Sequence, residues 1–201
     1  MKASILKWQV IVGFSLFSTI QLPAQTFTEE TGIVLPAISN GSTTWGDYDN
    51  DGDLDILVSG GGTDNNAVLK IFRNNYPANT FTDIGNVFTP ALPSAYISYG
   101  DNYLSAWVDF DNDGYLDIVF NGKNANGGYE LNIYRNEGPD QYTRSFSRKY
   151  RMEYVTFQGG TSFDFGDYDN DGDPDLIVVN SIASKLLKNR GNFLFDEQTS
   201  V

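Results

Sequence analysis

Three stretches of this chain repeat one acidic pattern: GDYDNDGDLDIL from Gly46, VDFDNDGYLDIV from Val108 and GDYDNDGDPDLI from Gly166. Each fits Asp-x-Asp-x-Asp-Gly-x-x-Asp and runs directly into apolar residues. The first aspartates are Asp47, Asp109 and Asp167, so successive copies lie 62 and 58 residues apart. A period of this size marks one supersecondary unit used three times, and it constrains the chain to a repeat array.

The spacing also constrains chemistry. Positions 1, 3, 5 and 9 of the loops are Asp47, Asp49, Asp51 and Asp55; Asp109, Asp111, Asp113 and Asp117; and Asp167, Asp169, Asp171 and Asp175. Position 7 is Asp53, Tyr115 and Asp173, and since a Tyr offers no carboxylate, that position is expected to ligate through its backbone carbonyl. Four carboxylates within nine residues repel one another unless a cation lies between them. Calcium accepts six to eight oxygens and tolerates mixed side-chain and carbonyl donors, whereas magnesium keeps more of its water. Zinc and copper are disfavoured, because the chain has no His and no Cys. Gly52, Gly114 and Gly172 hold position 6, where the chain must turn sharply around an ion. Three calcium sites are therefore expected, with all fifteen residues named above as ligands.

The loop differs from an EF-hand, which needs a Glu at position 12 and a helix on each side. Position 12 is Val58, Phe120 and Val178. Short runs flank each loop: Thr43-Thr44-Trp45, Ser105-Ala106-Trp107 and Ser162 to Phe165 before; Ile56-Leu57-Val58, Ile118-Val119-Phe120 and Leu176 to Val179 after. They are β-prone and too short for helices, so each ion is expected in the turn of a β-hairpin.

Two further motifs recur. Leu69 to Asn74 (LKIFRN) matches Leu131 to Asn136 (LNIYRN), with a weaker copy at Lys185 to Asn189; their alternation reads as a half-buried strand. A Phe with an acid two residues on recurs as Thr26-Phe27-Thr28-Glu29, Thr80-Phe81-Thr82-Asp83 and Leu194-Phe195-Asp196-Glu197, with Ser145-Phe146-Ser147 a degraded copy. Read in order, the unit is an outer strand, a pre-loop strand, the acidic turn, a post-loop strand and the Arg-Asn strand, or four strands in about 60 residues, the size of one propeller blade.

On these loops and the Arg-Asn strand the chain resembles the FG-GAP/VCBS repeat family, the calcium-bearing propeller blades also found in integrin α-subunit heads. The resemblance covers roughly residues 26 to 201. It implies that the loop joins the first two strands of a blade and that the aspartates at positions 1, 3, 5 and 9 are side-chain ligands. Pro174 at position 8 departs from the pattern by removing a backbone N–H, though no oxygen ligand. The expected fold is all-β: a partial β-propeller of about three four-stranded antiparallel blades, each with a calcium-binding hairpin loop. Propellers typically close with four to eight blades. Residues 25–201 are accordingly read as three blades plus the first strand of a fourth, a fragment of a longer propeller or an arc completed by another chain.

Residues 1–24 read as a signal peptide: Lys2 and Lys7, an apolar stretch from Val10 to Ile20, then Leu22-Pro23-Ala24. The stretch is short for a membrane span, so the expected location is secreted, periplasmic or cell-surface. The formal net charge is −13, and the leader carries two lysines and no acid. The loops hold fourteen of the 26 acidic residues, five in the first, four in the second and five in the third. Acidity is thus largely a property of the loops, and without a basic stripe nucleic acid is excluded as a partner. Arg144, Arg148, Lys149 and Arg151 are expected to form one solvated basic face.

The absence of His and Cys removes their nucleophile–base arrangements. The Glu residues and the remaining Asp residues show no pattern, so no catalytic residue is assigned. The function expected is a calcium-binding scaffold for binding or adhesion, with a protein or carbohydrate ligand. The alternative is a propeller region of a secreted polysaccharide-degrading, lyase-like enzyme. Tyr96, Tyr99 and Tyr103 are candidates for exposed binding aromatics, or for blade packing.

Overall fold

The computed structural model describes residues 27–63, 67–85, 87–89, 103–123, 129–139, 145–154, 161–179 and 184–198. The signal-peptide reading, Tyr96, Tyr99 and Arg144 lie outside the described residues. The chain divides into two units, Met1–Thr31 and Gly32–Val201. In the first, residues 27–31 contain no strand, so the Phe27 motif forms none of the strands expected of it. The second holds every strand described.

Three sheets are built by one plan. In the first, β1 (Ser39–Gly46), β2 (Asp55–Gly61), β3 (Ala67–Asn74) and β4 (Phe81–Asp83) follow one another antiparallel in chain order. The second sheet contains β6 (Leu104–Val108), β7 (Asp117–Lys123), β8 (Tyr129–Asn136) and β9 (Phe146–Tyr154) in the same order, and a short strand β5 (Phe88–Thr89) adds to β9 in parallel. The third comprises β10 (Ser162–Gly166), β11 (Asp175–Val179), β12 (Ser184–Asn189) and β13 (Phe195–Gln198). The described fold is all-β, with three four-stranded antiparallel blades, none closed into a barrel.

The Phe motifs settle elsewhere than expected. Phe81 pairs with Asn74, Phe146 with Asn136 and Phe195 with Asn189. Each Phe strand is therefore the fourth strand of the blade that precedes it, and Phe195–Gln198 completes the third blade instead of opening a fourth. Short connections make antiparallel neighbours, and only six residues separate Asn74 from Phe81.

The apolar run Ile56-Leu57-Val58 does not face the next blade as a whole. Successive strand residues point to opposite faces. Leu57 and Ile71, with Tyr48, join Trp107, Ile118, Phe120 and Tyr134 in the core between blades one and two. Val119, Leu131 and Ile133, with Phe110, meet Leu176, Val178 and Leu187 between blades two and three. Ile56, Val58 and Phe72 lie on the outer side of blade one, packed with Ile38 and Phe81. Tyr103 is fully buried and stacks on Phe120 at 6.5 Å, so of its two readings blade packing holds.

The basic run on β9 does not form one solvated face. A register shift between the Ile133 and Tyr134 pairings sets Arg148 opposite Tyr134 and Arg151 opposite Asn132. Both turn toward the buried Glu130, Arg151 Nε donating to Glu130 Oε2 at 2.8 Å, while Lys149 pairs with Glu137 at 2.8 Å.

Candidate metal centres

Each acidic loop joins the first two strands of a blade, between β1 and β2, β6 and β7, and β10 and β11. The loop shape follows from its own residues. The position-1 carboxylate accepts two backbone N–H groups across the turn: Asp47 from Asp51 and Gly52, Asp109 from Asp113 and Gly114, Asp167 from Asp171 and Gly172, all at 2.9–3.1 Å. The position-6 glycines stand at φ +93°, +86° and +96°, a region closed to most side chains. Position 4 is Asn50, Asn112 and Asn170 at φ 55°, 55° and 60°. Asn is among the few residues that adopt this left-handed conformation readily.

The position-9 aspartates anchor the loops to the blades. Asp55, Asp117 and Asp175 are buried. Each accepts one N–H from position 2 and one from the Asn ending the third strand. Asp117 takes Phe110 N–H at 2.9 Å and Asn136 N–H at 2.8 Å. Asp55 does the same with Tyr48 and Asn74, and Asp175 with Tyr168 and Asn189.

The carboxylates at positions 1, 3 and 9 converge in every copy. Asp47, Asp49 and Asp55 each offer an oxygen within 4.8 Å of the others, as do Asp109, Asp111 and Asp117, and Asp167, Asp169 and Asp175. Asp111 Oδ1 is buried and has no hydrogen-bond partner, which is costly for an anionic oxygen even though Arg135 reaches the other oxygen of the same carboxylate. Burial pushes the Asp117 carboxyl up to about 8, the backbone N–H groups of Phe110 and Asn136 pull it back, and the charges of Asp111 and Asp113 raise it further. Burial likewise pushes Asp55 up to about 6, with Asp49 and Asp51 adding repulsion against the Asn74 and Tyr48 N–H groups. The donors are hard carboxylate oxygens around a concave turn, so three residues of each loop fit a metal cation as they stand.

Position 5 is brought near without joining the triads. Asp51, Asp113 and Asp171 each accept the position-7 N–H with Oδ1, from Asp53, Tyr115 and Asp173 respectively. At position 7 the Tyr115 ring lies against Gly138, and Asp173 Oδ1 accepts Asn112 Nδ2 at 2.9 Å. The side chains of Tyr115 and Asp173 are thus engaged elsewhere.

Two features were missed in the sequence. The Arg-Asn strand places a base beside the loop: Arg135 donates to Asp111 at 2.6 Å and Asp113 at 2.8 Å, and Lys188 pairs with Asp169 and Asp171. In blade one the corresponding Arg73 instead donates to Asn75 Oδ1 at 3.2 Å. The Asn residues tie neighbouring loops together. Asn136 Nδ2 donates to Leu116 O in its own loop and to Tyr48 O in the preceding blade, and Asn189 does so with Pro174 O and Phe110 O. Asn50 and Asn112 reach the Gly114 and Gly172 carbonyls of the following loop. The repetition of Asn at position 4 was the available signal.

The profile of the FG-GAP-like repeat matches residues 47–120 and 109–178, two overlapping spans that each run from one acidic loop into the next. Together they cover more than half of the chain. The chain belongs to the FG-GAP-like repeat family. It is a β-propeller-like repeat protein, and both matched spans begin at the first aspartate of an acidic loop. No curated protein matches the chain. Among the described residues no helix is long and apolar enough to cross a membrane.

Proposed function

We propose that this FG-GAP-like protein is a secreted or cell-surface calcium-binding scaffold that presents its blade rims to a protein or carbohydrate ligand. The observation that carries the calcium reading is the convergence of three carboxylates in each loop, with a buried Asp111 oxygen left without a hydrogen bond. Repeats of this family often bind calcium and are typically extracellular, which supports both the ion and the location.

Asp47, Asp49 and Asp55, with their counterparts in loops two and three, would hold the ion; the position-5 aspartates and the position-7 carbonyls complete the proposed ligand set. Calcium would supply positive charge at the point where burial and mutual repulsion most disfavour the ionised aspartates. The chain's own residues do the rest. The position-1 aspartates hold the turn, and the position-9 aspartates fasten the hairpin to the third strand. The Asn side chains pass the loop geometry on to the next blade. Residues 1–24 are proposed as the export signal and 25–201 as the repeat region. Scaffolding, without catalysis, is the proposed role, because the acidic residues of the described site are all accounted for by the loops.

Thermal unfolding in calcium, magnesium and chelator tests this reading. Melting temperature is expected to rise with calcium, with a midpoint in the extracellular range of ~10⁻⁴–10⁻³ M, and to rise much less with magnesium. Identical melting in calcium and chelator refutes it.

A further inference from the structure

The three acidic loops share one ligand pattern, but the third strand of each blade sets a different partner beside its loop. The position in question precedes the Asn that ends that strand. In blade two it is Arg135, half-buried, whose guanidinium spans three carboxylates. Nε donates to Asp111 Oδ2 at 2.6 Å, Nη2 to Asp113 Oδ2 at 2.8 Å and Nη1 to Glu137 Oε2 at 2.9 Å. In blade three it is Lys188, also half-buried, whose Nζ pairs with Asp169 Oδ2 and, at 3.0 Å, with Asp171 Oδ2. In blade one it is Arg73, which is exposed and donates to Asn75 Oδ1 at 3.2 Å. Among the described residues Arg73 makes no ion pair with a loop-one carboxylate.

The difference reaches the proposed ligands at positions 3 and 5. Asp113 has both oxygens engaged, Oδ1 by the Tyr115 N–H and Oδ2 by Arg135. Asp171 is held the same way by the Asp173 N–H and Lys188. In loop one Asp51 Oδ1 accepts the Asp53 N–H, and among the described residues no base reaches Oδ2. Formal charge follows. Loop one has five aspartates and no base, a net of −5; loop three has five against Lys188, a net of −4; loop two has four against Arg135, a net of −3. Cation affinity in such oxygen sites rises with ligand charge. A cation entering loop two or three meets carboxylates that are already partly neutralised and a positive group in contact with two of them. The metal-free loop then has less repulsion to relieve, and the filled loop holds like charges close together. Outer partners can also raise affinity by orienting a ligand. Asp49 joins the loop-one triad without a base, however, so position 3 does not need one for its orientation.

We propose that Arg135 and Lys188 are internal counter-ions that set the order in which the loops take up calcium, loop one first, loop three next and loop two last. The ordering rests on the calcium reading of the loops and adds to it a division of labour. Loop one is filled at the lowest calcium, and loops two and three respond only at higher calcium, where the ion outcompetes the base.

A calcium titration of the full nitrogen-labelled chain, followed by NMR of the Gly52, Gly114 and Gly172 amides, tests the order. Each of these N–H groups donates to the position-1 carboxylate of its own loop, so the three loops are read separately. Gly52 is expected to respond at the lowest calcium, then Gly172, then Gly114. Arg135→Gln should lower the Gly114 midpoint about tenfold, the scale of one charge-assisted hydrogen bond, and leave the Gly52 midpoint in place. Lys188→Gln should do the same for Gly172. Arg135→Lys keeps the charge and loses the fork, so its Gly114 midpoint should stay above that of Arg135→Gln. The Gly52 signal shows in each variant that the chain is folded. A Gly114 midpoint that rises or stays put in Arg135→Gln overturns the proposal, because the Arg would then steady Asp111 for the ion instead of standing in for it. A wild-type chain in which Gly114 responds with or before Gly52 overturns it as well. Three amides that never respond to calcium refute the calcium reading itself, and the ordering with it.

Discussion

Asn136 and Asn74 hold the same place in successive repeats, yet the structure gives them different work. Asn136 is fully buried, donates to Tyr48 O at 2.9 Å and Leu116 O at 3.2 Å, and accepts Gly138 N–H at 3.1 Å. Among the described residues Asn74 donates once, to Leu54 O at 3.2 Å, from a half-buried position. A buried hydrogen bond contributes about 1 kcal/mol, and truncation that strands its partners costs more. Asn136→Ala should therefore destabilise the chain by about 3 kcal/mol, and Asn74→Ala by less than about 1 kcal/mol. In a chain of this size 3 kcal/mol corresponds to a melting shift of about 6–12 °C. Paired thermal and urea denaturation in calcium measures both. Equal losses for the two variants would refute the assignment of Asn136 as the tie between blades, because both remove an identical side chain from an identical strand position.

The metal-free chain should lose stability as pH rises. Asp117 and Asp55 are raised to about 8 and about 6, so the folded chain holds protons that the unfolded chain releases near pH 4. Melting in chelator should fall between pH 5 and pH 8, calcium's stabilising increment should grow over the same window, and Asp117→Asn should flatten the slope. Arg135→Gln should cost about 2 kcal/mol in chelator, since it removes charge-assisted bonds to Asp111 and Asp113, whereas Arg73→Gln should cost little, as titrated denaturant melts would show. Asp51→Ala should weaken loop one without abolishing loops two and three, and Asp53→Asn should be mild; equal damage from both in a calcium titration would contradict a backbone role for position 7.

The hairpins and the triads were legible because the loop writes its geometry into fixed spacings. Asp47, Asp49 and Asp55 must recur at 1, 3 and 9 for three oxygens to meet, and a glycine must stand at 6 for the chain to turn. The blade plan was legible from the Arg-Asn strand. The ownership of the Phe strands was not, because a motif that recurs each period can be attached to the unit on either side. The short Asn74-to-Phe81 connection decides it. Facing was not legible at Ile56 and Val58, where an unbroken apolar run hides the strict alternation of a strand covered on both sides. Tyr103 looks like a loop aromatic in sequence, and only the fold shows that it lies between blades, on Phe120. The inter-loop roles of Asn50 and Asn112 depend on the distance between loops, which spacing along one chain does not contain.

The central claim is that each acidic loop holds one calcium ion. Equilibrium dialysis of the purified chain against calcium counts them directly. Three ions per chain are expected, and two for Asp117→Asn, since that change removes a buried carboxylate from loop two alone. A chain that binds no calcium, or an Asp117→Asn chain that still binds three, would contradict the account.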